Sequence, residues 1–412
     1  MVNTKRDAGS YESPSYEHAI LVYDGDALYE GFLQAKKNSD WKPEVQRFEM
    51  NLLTELASLQ EELINETFEL RPTKEFKINE RGHTRIITGD HIRDRTVKHA
   101  LCDNILNPAI QPHLIYDNGA SIKGKGISFT RDRLVTHLKR YYRENKTNEG
   151  YILLIDYSKY YDNIRHKDLL EIFKKYTQDE KALWLIEKIL DSASVDVSYM
   201  TDEEYNRCMG ELFNSIEYFQ LDKSKLTKEK FMPKHLNIGD QVSQTAGTAY
   251  PMEIDNYIKI VKGIKYYGRY MDDSYIISRD KEELKKLLVE INGKAKELGI
   301  FMNLKKTRIC KLNDYWRFLQ IQYCLTSTGR VIQKIHPKRL THIRRQMKKM
   351  VNIIGKEEYL HWFKSWYRGY YKFMSRRQRK NITKLLCRLL SLKGKSAREV
   401  LSWLKVKGDN VV

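Results

Sequence analysis

Tyr270-Met271-Asp272-Asp273 lies between two apolar runs, Ile264 to Tyr267 and Tyr275 to Ser278. This pattern predicts a β-hairpin whose tip carries two adjacent carboxylates. Adjacent acids repel each other and gain nothing from packing. Divalent cations would neutralise them, as in two-metal phosphoryl transfer. The pair equally suits a polar turn, the commonest place for Asp. Which reading holds depends on the residues elsewhere in the chain.

Two-metal chemistry needs a further carboxylate from a neighbouring element. Tyr151-Ile-Leu-Leu-Ile is a continuous apolar run, as expected of a strand buried on both faces, and Asp156 ends it. A charge there is costly without a partner. It could also cap a helix, although Asp162-Asn is better placed to cap the segment through Tyr176. Tyr161 follows five residues after Asp156. In a polymerase, a ring at that distance from the first carboxylate presses on the sugar 2′ position and excludes ribonucleotides. Tyr160 and Tyr161 equally suit core packing.

The 412 residues allow two or three domains and a large core. A 41% hydrophobic content excludes a disordered chain, and no apolar stretch is long enough to span a bilayer. The first residues lack the apolar segment of a secretion signal, so the expected location is cytoplasmic, with no membrane partner. Five scattered cysteines without a Cys-x-x-Cys speak against thiolate zinc sites and a disulfide framework. The net charge of +19 points to a polyanion, and the 27 tyrosines, which can stack on bases, favour nucleic acid.

Val45, Phe48, Leu52, Leu56, Leu59 and Leu63 form one stripe of a long helix from Pro43. Glu75 to Ile87 reads as a hairpin turning at Gly82, with Lys77, Arg81 and Arg85 along it. A helix is expected over Arg93 to Leu106. A Gly-rich basic loop then runs from Asn118 to Ser128 into a basic helix. Met200 to Pro233 is polar and reads as an irregular insertion or mobile connection. A helix is expected within Gly239 to Asp255, and another from Leu284 to Leu298 closed by Gly299. Short strands should follow near Phe301 to Leu304 and Trp316 to Leu325. Lys334 opens a basic helical region.

Taken in order, these segments resemble the palm motifs of reverse transcriptases: Asp156-Tyr-Ser-Lys-Tyr-Tyr-Asp followed by Tyr270-Met-Asp-Asp, within a likeness spanning about Pro72 to Phe373. The resemblance implies an α+β right-hand polymerase. Residues 40–150 would form fingers and 151–333 a palm interleaved with fingers elements and carrying an insertion near 200–233. Residues 334–412 would form a basic helical thumb, and 1–39 an N-terminal extension. It also implies Asp156, Asp272 and Asp273 as catalytic ligands of two Mg2+ ions, with Mn2+ as a substitute. Arg85 would hold the incoming triphosphate, with Lys77 and Arg81 as weaker candidates, and Tyr161 would face its sugar.

Ile92-Arg-Asp-Arg-Thr-Val-Lys-His-Ala-Leu is similar to the family's Asp-Arg-x-Val-x-x-Ala-Leu segment. The Gly119 to Ser128 loop, with Lys123, Gly124 and Lys125, is similar to its template-gripping loop. Ile238-Gly-Asp-Gln-Val-Ser-Gln fills the motif that supports the templating base and nucleotide, through Gly239, Ser243 and Gln244. Tyr270 and Met271 would touch template or primer. Lys306 resembles the later palm lysine that can protonate the leaving pyrophosphate. Phe318-Leu319 resembles the primer grip, with Gln320 where Gly is usual. Ser365 to Phe373 resembles a thumb segment of bacterial members. The partners implied are an RNA template, a primer and deoxynucleoside triphosphates.

The Gly-x-x-x-Ser-Gln form at Gly239 to Gln244 is similar to bacterial and phage reverse transcriptases of diversity-generating retroelements and related antiviral defence systems. Asn237 and Asp240-Gln depart from the usual Pro and Asn-Gln. Longer terminal regions than is typical point to a dedicated noncoding RNA, an accessory protein or an oligomer. No acidic quartet of a ribonuclease H domain and no His-Asn-His endonuclease pattern occurs, so template removal or integration would fall to other proteins. Two other readings remain. An RNA-dependent RNA polymerase usually has Gly-Asp-Asp at the hairpin and a polar residue in place of Tyr161. A maturase-like RNA-binding protein could dispense with the carboxylates.

Overall fold

The structure, a computed structural model, describes residues 23–80, 83–219, 221–222, 224 and 226–391. Helix mixes with mainly antiparallel sheet, in keeping with the α+β expectation. One four-stranded sheet runs in the order Arg308–Lys311, Tyr151–Ile155, Asp273–Ser278, Tyr267–Tyr270. Tyr151–Ile155 spans the residues expected, and Ile152 to Ile155 are buried. The acidic hairpin forms, but its first strand is Tyr267–Tyr270 rather than the run from Ile264, and Asp273 opens the second strand, Asp273–Ser278, which leaves Met271 and Asp272 in the turn.

The chain divides into two compact units. The first comprises residues 1–130, 155–275 and 282–308. Its helices Gly25–Lys36 and Ile92–Leu101 cross in backbone contact. A Cβ on Gly31 would lie 2.5 Å from the Thr96 carbonyl oxygen, so only glycine fits there. The expected long helix from Pro43 is broken into Pro43–Met50 and Leu52–Ile64 at Asn51, whose side chain bonds back to the Arg47 carbonyl. Lys74–Glu80 and His83–Gly89 pair in antiparallel register. The turn expected at Gly82 lies outside the described residues.

The segment expected as an irregular insertion, residues 200–233, differs from that expectation. Rather than irregular, its described part is folded around Val195, Val197, Met200, Phe213 and Met232. Short strands Val195–Asp196 and Phe231–Met232 pair, and helix Asp202–Gly210 begins with a Thr201/Glu204 capping box. Tyr199, Phe213 and Tyr218 stack at centroid distances of 5.9 and 4.9 Å. Helical and strand periodicities are short here, so the polar composition masked a small core that depends on contacts distant in sequence.

The second unit comprises residues 131–154, 276–281 and 309–412. Trp316–Phe318, Ile321–Leu325 and Val331–Ile335 form a three-stranded antiparallel meander. Helices Pro337–Met350, Lys356–Tyr370 and Arg376–Ser391 follow, bearing out the helical pattern after Lys334. Gly150 belongs to this unit. Its φ of +154° and its closeness to the Tyr141 ring leave no room for a side chain.

Candidate active site

The end of one strand and the tip of the adjoining hairpin bring the three expected carboxylates together within the first unit. Asp156 leaves Tyr151–Ile155 with its backbone held by Asn303 N at 2.7 Å and Thr307 Oγ1 at 3.3 Å. Its Oδ2 lies 3.1 Å from Lys306 Nζ. Its Oδ1 is buried with no hydrogen-bond partner among the described residues. Burial, then the charge of Asp156, raises the pKa of Asp272, while Lys306 and Arg85 oppose the shift. Asp273 is pushed up to about 7 by burial, then by Asp272 and Asp156. Three acids thus crowd around an orphaned oxygen, countered by the Lys306 ammonium and, at Asp272, by Arg85.

Such an oxygen-only donor set suits a hard cation such as Mg2+ or Mn2+. Among the described residues no three His, Cys, Asp or Glu side chains converge closely enough to close a metal site. Lys306 instead pairs with Asp156. The chemistry of the donors fits a divalent ion, and Asp156, Asp272 and Asp273 are the residues that would hold it.

The hairpin tip is set by a pair that sequence reasoning missed. Arg269 and Asp255 are both buried, with Nε 2.8 and 2.9 Å from the carboxylate oxygens and an Nη at 2.7 Å. The same guanidinium donates to the carbonyls of Thr248 at 2.7 Å and Met271 at 3.1 Å. Met271 has φ +52°, a conformation rare outside glycine and asparagine, so the bond to its carbonyl pins the turn that presents Asp272. The sequence signal was faint: two opposite charges, 14 residues apart, each set among apolar neighbours.

The two tyrosines separate. Tyr160 is buried, donating to the Gly247 carbonyl at 2.7 Å. Tyr161 is half-buried, with its hydroxyl 3.6 Å from Met271 Sδ. A Cβ at Gly247 would come 2.9 Å from that hydroxyl, so glycine makes room for the ring. Asp162 does not cap the following helix, contrary to expectation. That helix, His166–Tyr176, starts after Arg165, and Asp162 instead accepts bonds from Ser215 and His235.

Gly239 has φ +110° and lies against Ile87 and Thr88 of the basic hairpin. Asp240 caps helix Gln241–Ala249, accepting from Val242 N at 2.8 Å. It also pairs with the buried Lys98 at 2.7 Å, a second duty that an amide could not share as an anion. Asn237 accepts from Thr88 Oγ1 at 3.2 Å, so both departures from the usual motif have local partners. Ser243 is buried and Gln244 exposed. Arg85 is exposed and within electrostatic reach of Asp272. Lys77 is also exposed but stands on the opposite face, since Arg85 pairs with Ile78 and Lys77 with Ile86. Arg81 lies outside the described residues.

In the Gly-rich loop, Lys123 and Gly124 are exposed, the latter with φ +80°. Lys125 folds back, donating to the Tyr116 carbonyl at 2.7 Å and lying over the Tyr116 and Phe129 rings. Tyr270 is half-buried at the hairpin. In the second unit, Phe318 is buried and Leu319 and Gln320 form the turn, with φ of +42° and +72°. Gln320 thus occupies a conformation that glycine adopts freely. Arg131 donates to the Leu319 carbonyl, and Tyr370 donates to Gln320 Oε1 at 2.6 Å.

A reverse transcriptase (RNA-dependent DNA polymerase) family model matches residues 77–323, more than half of the chain. The chain therefore belongs to that family and has its polymerase palm fold. It is an RNA-directed DNA polymerase, a nucleotidyltransferase, of a family that uses RNA template, primer and deoxynucleotides and generally requires divalent metal. No curated protein matches it.

Proposed function

We propose that the chain makes cDNA by two-metal nucleotidyl transfer at Asp156, Asp272 and Asp273. The observation that carries this reading is the buried Asp156 Oδ1, without a hydrogen-bond partner among the described residues, beside two carboxylates whose pKa values burial and neighbouring negative charge push up. Bound Mg2+ ions would supply activation of the primer 3′ hydroxyl and neutralisation of the triphosphate. Arg85, on the hairpin face within electrostatic reach of Asp272, takes the triphosphate. Lys77 and Arg81 are secondary phosphate contacts. Lys306, which pairs with Asp156 here, would release it and turn to the leaving pyrophosphate. Tyr161 walls the sugar and Gln244 faces the nucleotide, while Gly239, Ser243, Tyr270 and Met271 line the template and primer. Lys123, Gly124 and Lys125 meet template phosphates, and Phe318 and Leu319 the primer.

In this reading residues 40–150 act as fingers, 151–333 as palm and 334–412 as thumb. Extension of a DNA primer on an RNA template by the purified full chain in Mg2+ tests it. Deoxynucleotide incorporation should be abolished in Asp272→Ala, and wild-type-like synthesis by that variant would overturn the assignment. Equal use of ribonucleotides by the wild type would favour an RNA polymerase instead.

The Gly239 to Gln244 motif further supports a retroelement enzyme of diversity-generating type or a related antiviral defence system, with a dedicated noncoding RNA. Sequencing of the flanking genes distinguishes them. A near-identical repeat pair differing at adenines marks the first. A structured RNA beside defence genes marks the second.

A further inference from the structure

His235 has a φ of +132°, in the region that favours glycine, and its side chain is buried. A backbone outlier of this kind persists only where its surroundings hold it, and it points to a function. The ring holds it here: Nδ1 lies 3.1 Å from Asp162 Oδ1. The same carboxylate also meets the segment around Ser215, accepting from Ser215 Oγ on Oδ1 at 2.8 Å and from Ser215 N on Oδ2 at 3.2 Å. Asn163 makes a reciprocal pair with Phe213, accepting from its N at 2.8 Å and donating to its carbonyl at 3.0 Å. The residue after His235 closes the circle, with Leu236 N donating to the Tyr161 carbonyl at 2.9 Å. His166 Nε2 lies 2.7 Å from the His235 carbonyl and fixes that peptide in turn.

The short turn Tyr161–Asn163 is thus gripped from one side by residues 235–236 and from the other by 213–215. Its first residue is the half-buried tyrosine beside Met271 and Gly247. All of these groups lie in the first unit.

We infer that His235 is a positioning residue that, through Asp162 and Leu236, holds Tyr161 at the angle needed to discriminate the nucleotide sugar, and that the insertion is the brace against which it works. This rests on reading Tyr161 as the sugar wall. A small tilt of the turn swings the ring away from the 2′ position, and small misplacements of positioning groups carry large kinetic effects.

Full-length protein would be assayed on poly(rA) primed with oligo(dT), comparing kcat/KM for dTTP and UTP. His235→Gly removes the ring while accepting the backbone angle. Relief of strain offsets only part of the cost of losing a buried ring and its hydrogen bond, so melting should fall while the folded protein remains assayable. Selectivity for dTTP over UTP should fall about tenfold. His235→Asn, whose side-chain amide can donate to Asp162, should restore part of it. If His235→Gly fails to fold, Ser215→Ala, which cuts the grip from the other side, carries the same expectation. Tyr161→Ala separates the two failures. If it loses selectivity while His235→Gly or Ser215→Ala keeps the wild-type ratio, the positioning role is wrong. If Tyr161→Ala itself keeps the ratio, the sugar-wall reading falls, and this inference with it.

Discussion

At the scale of single residues, the proposed reading places the chemistry on the carboxylates and the space around Tyr161. Asp272 stands at a pinned turn in a field of like charge, and on the proposed reading its replacement removes a metal-binding carboxylate. Asp272→Ala should lower primer extension by about 10³-fold or more, measured by single-turnover incorporation. Gly247→Ala makes a subtler test. A helix interior gains roughly 0.5–1 kcal/mol from Ala over Gly, yet the new methyl group would press on the Tyr161 hydroxyl. The variant should melt no lower than wild type while its kcat/KM for deoxynucleotide drops about tenfold. An unchanged kcat/KM would show that the close approach has no kinetic consequence. Asp156 and the tip pair were legible in the sequence because their placement at element ends is a local pattern. Gly247 was not, because its neighbour lies 86 residues earlier in the chain.

At the scale of elements, buried polar pairs hold the hairpin and the insertion in place. Removing one partner of a buried ion pair typically costs about 3–5 kcal/mol, because the other charge is stranded. Arg269→Met should therefore destabilise by roughly that amount in urea titration. Arg269→Met/Asp255→Leu should recover most of the stability but not the activity, since Met271 loses its anchor in both. His166 adds a pH dependence. Burial holds its pKa down to about 4, below the ordinary value of 6.5. The unfolded chain therefore binds the extra proton first. The contribution of neutral His166 is complete above pH 6.5 and is lost as pH falls through about 4. His166→Gln should flatten the decline of melting temperature between pH 7 and pH 4 relative to wild type. Parallel profiles would exclude this titration as a source of acid sensitivity.

At the scale of the whole molecule, charge sets the expected binding behaviour. A net +19 implies contacts with many phosphates and release of their counterions. Affinity for single-stranded RNA, measured by fluorescence anisotropy, should fall steeply with log salt between about 50 and 200 mM. A flat profile would count against phosphate-dominated binding. Among the described residues no helix is long and apolar enough to cross a membrane.

The sequence by itself determined the central strand, the acidic hairpin, the basic hairpin and the family. Each is written in residues close together in the chain, as an apolar run, an alternation or an ordered set of motifs. Only the tertiary structure decided what the remaining polar residues do. Asp162 left a capping role for a link between Ser215 and His235, Asp240 joined Lys98, and Asp255 took Arg269. It also decided that the described part of residues 200–233 folds around a small core. A buried hydrogen bond or ion pair depends on two groups meeting in a place shielded from water, and the partners here lie 14 to 142 residues apart. No periodicity in the chain records that meeting.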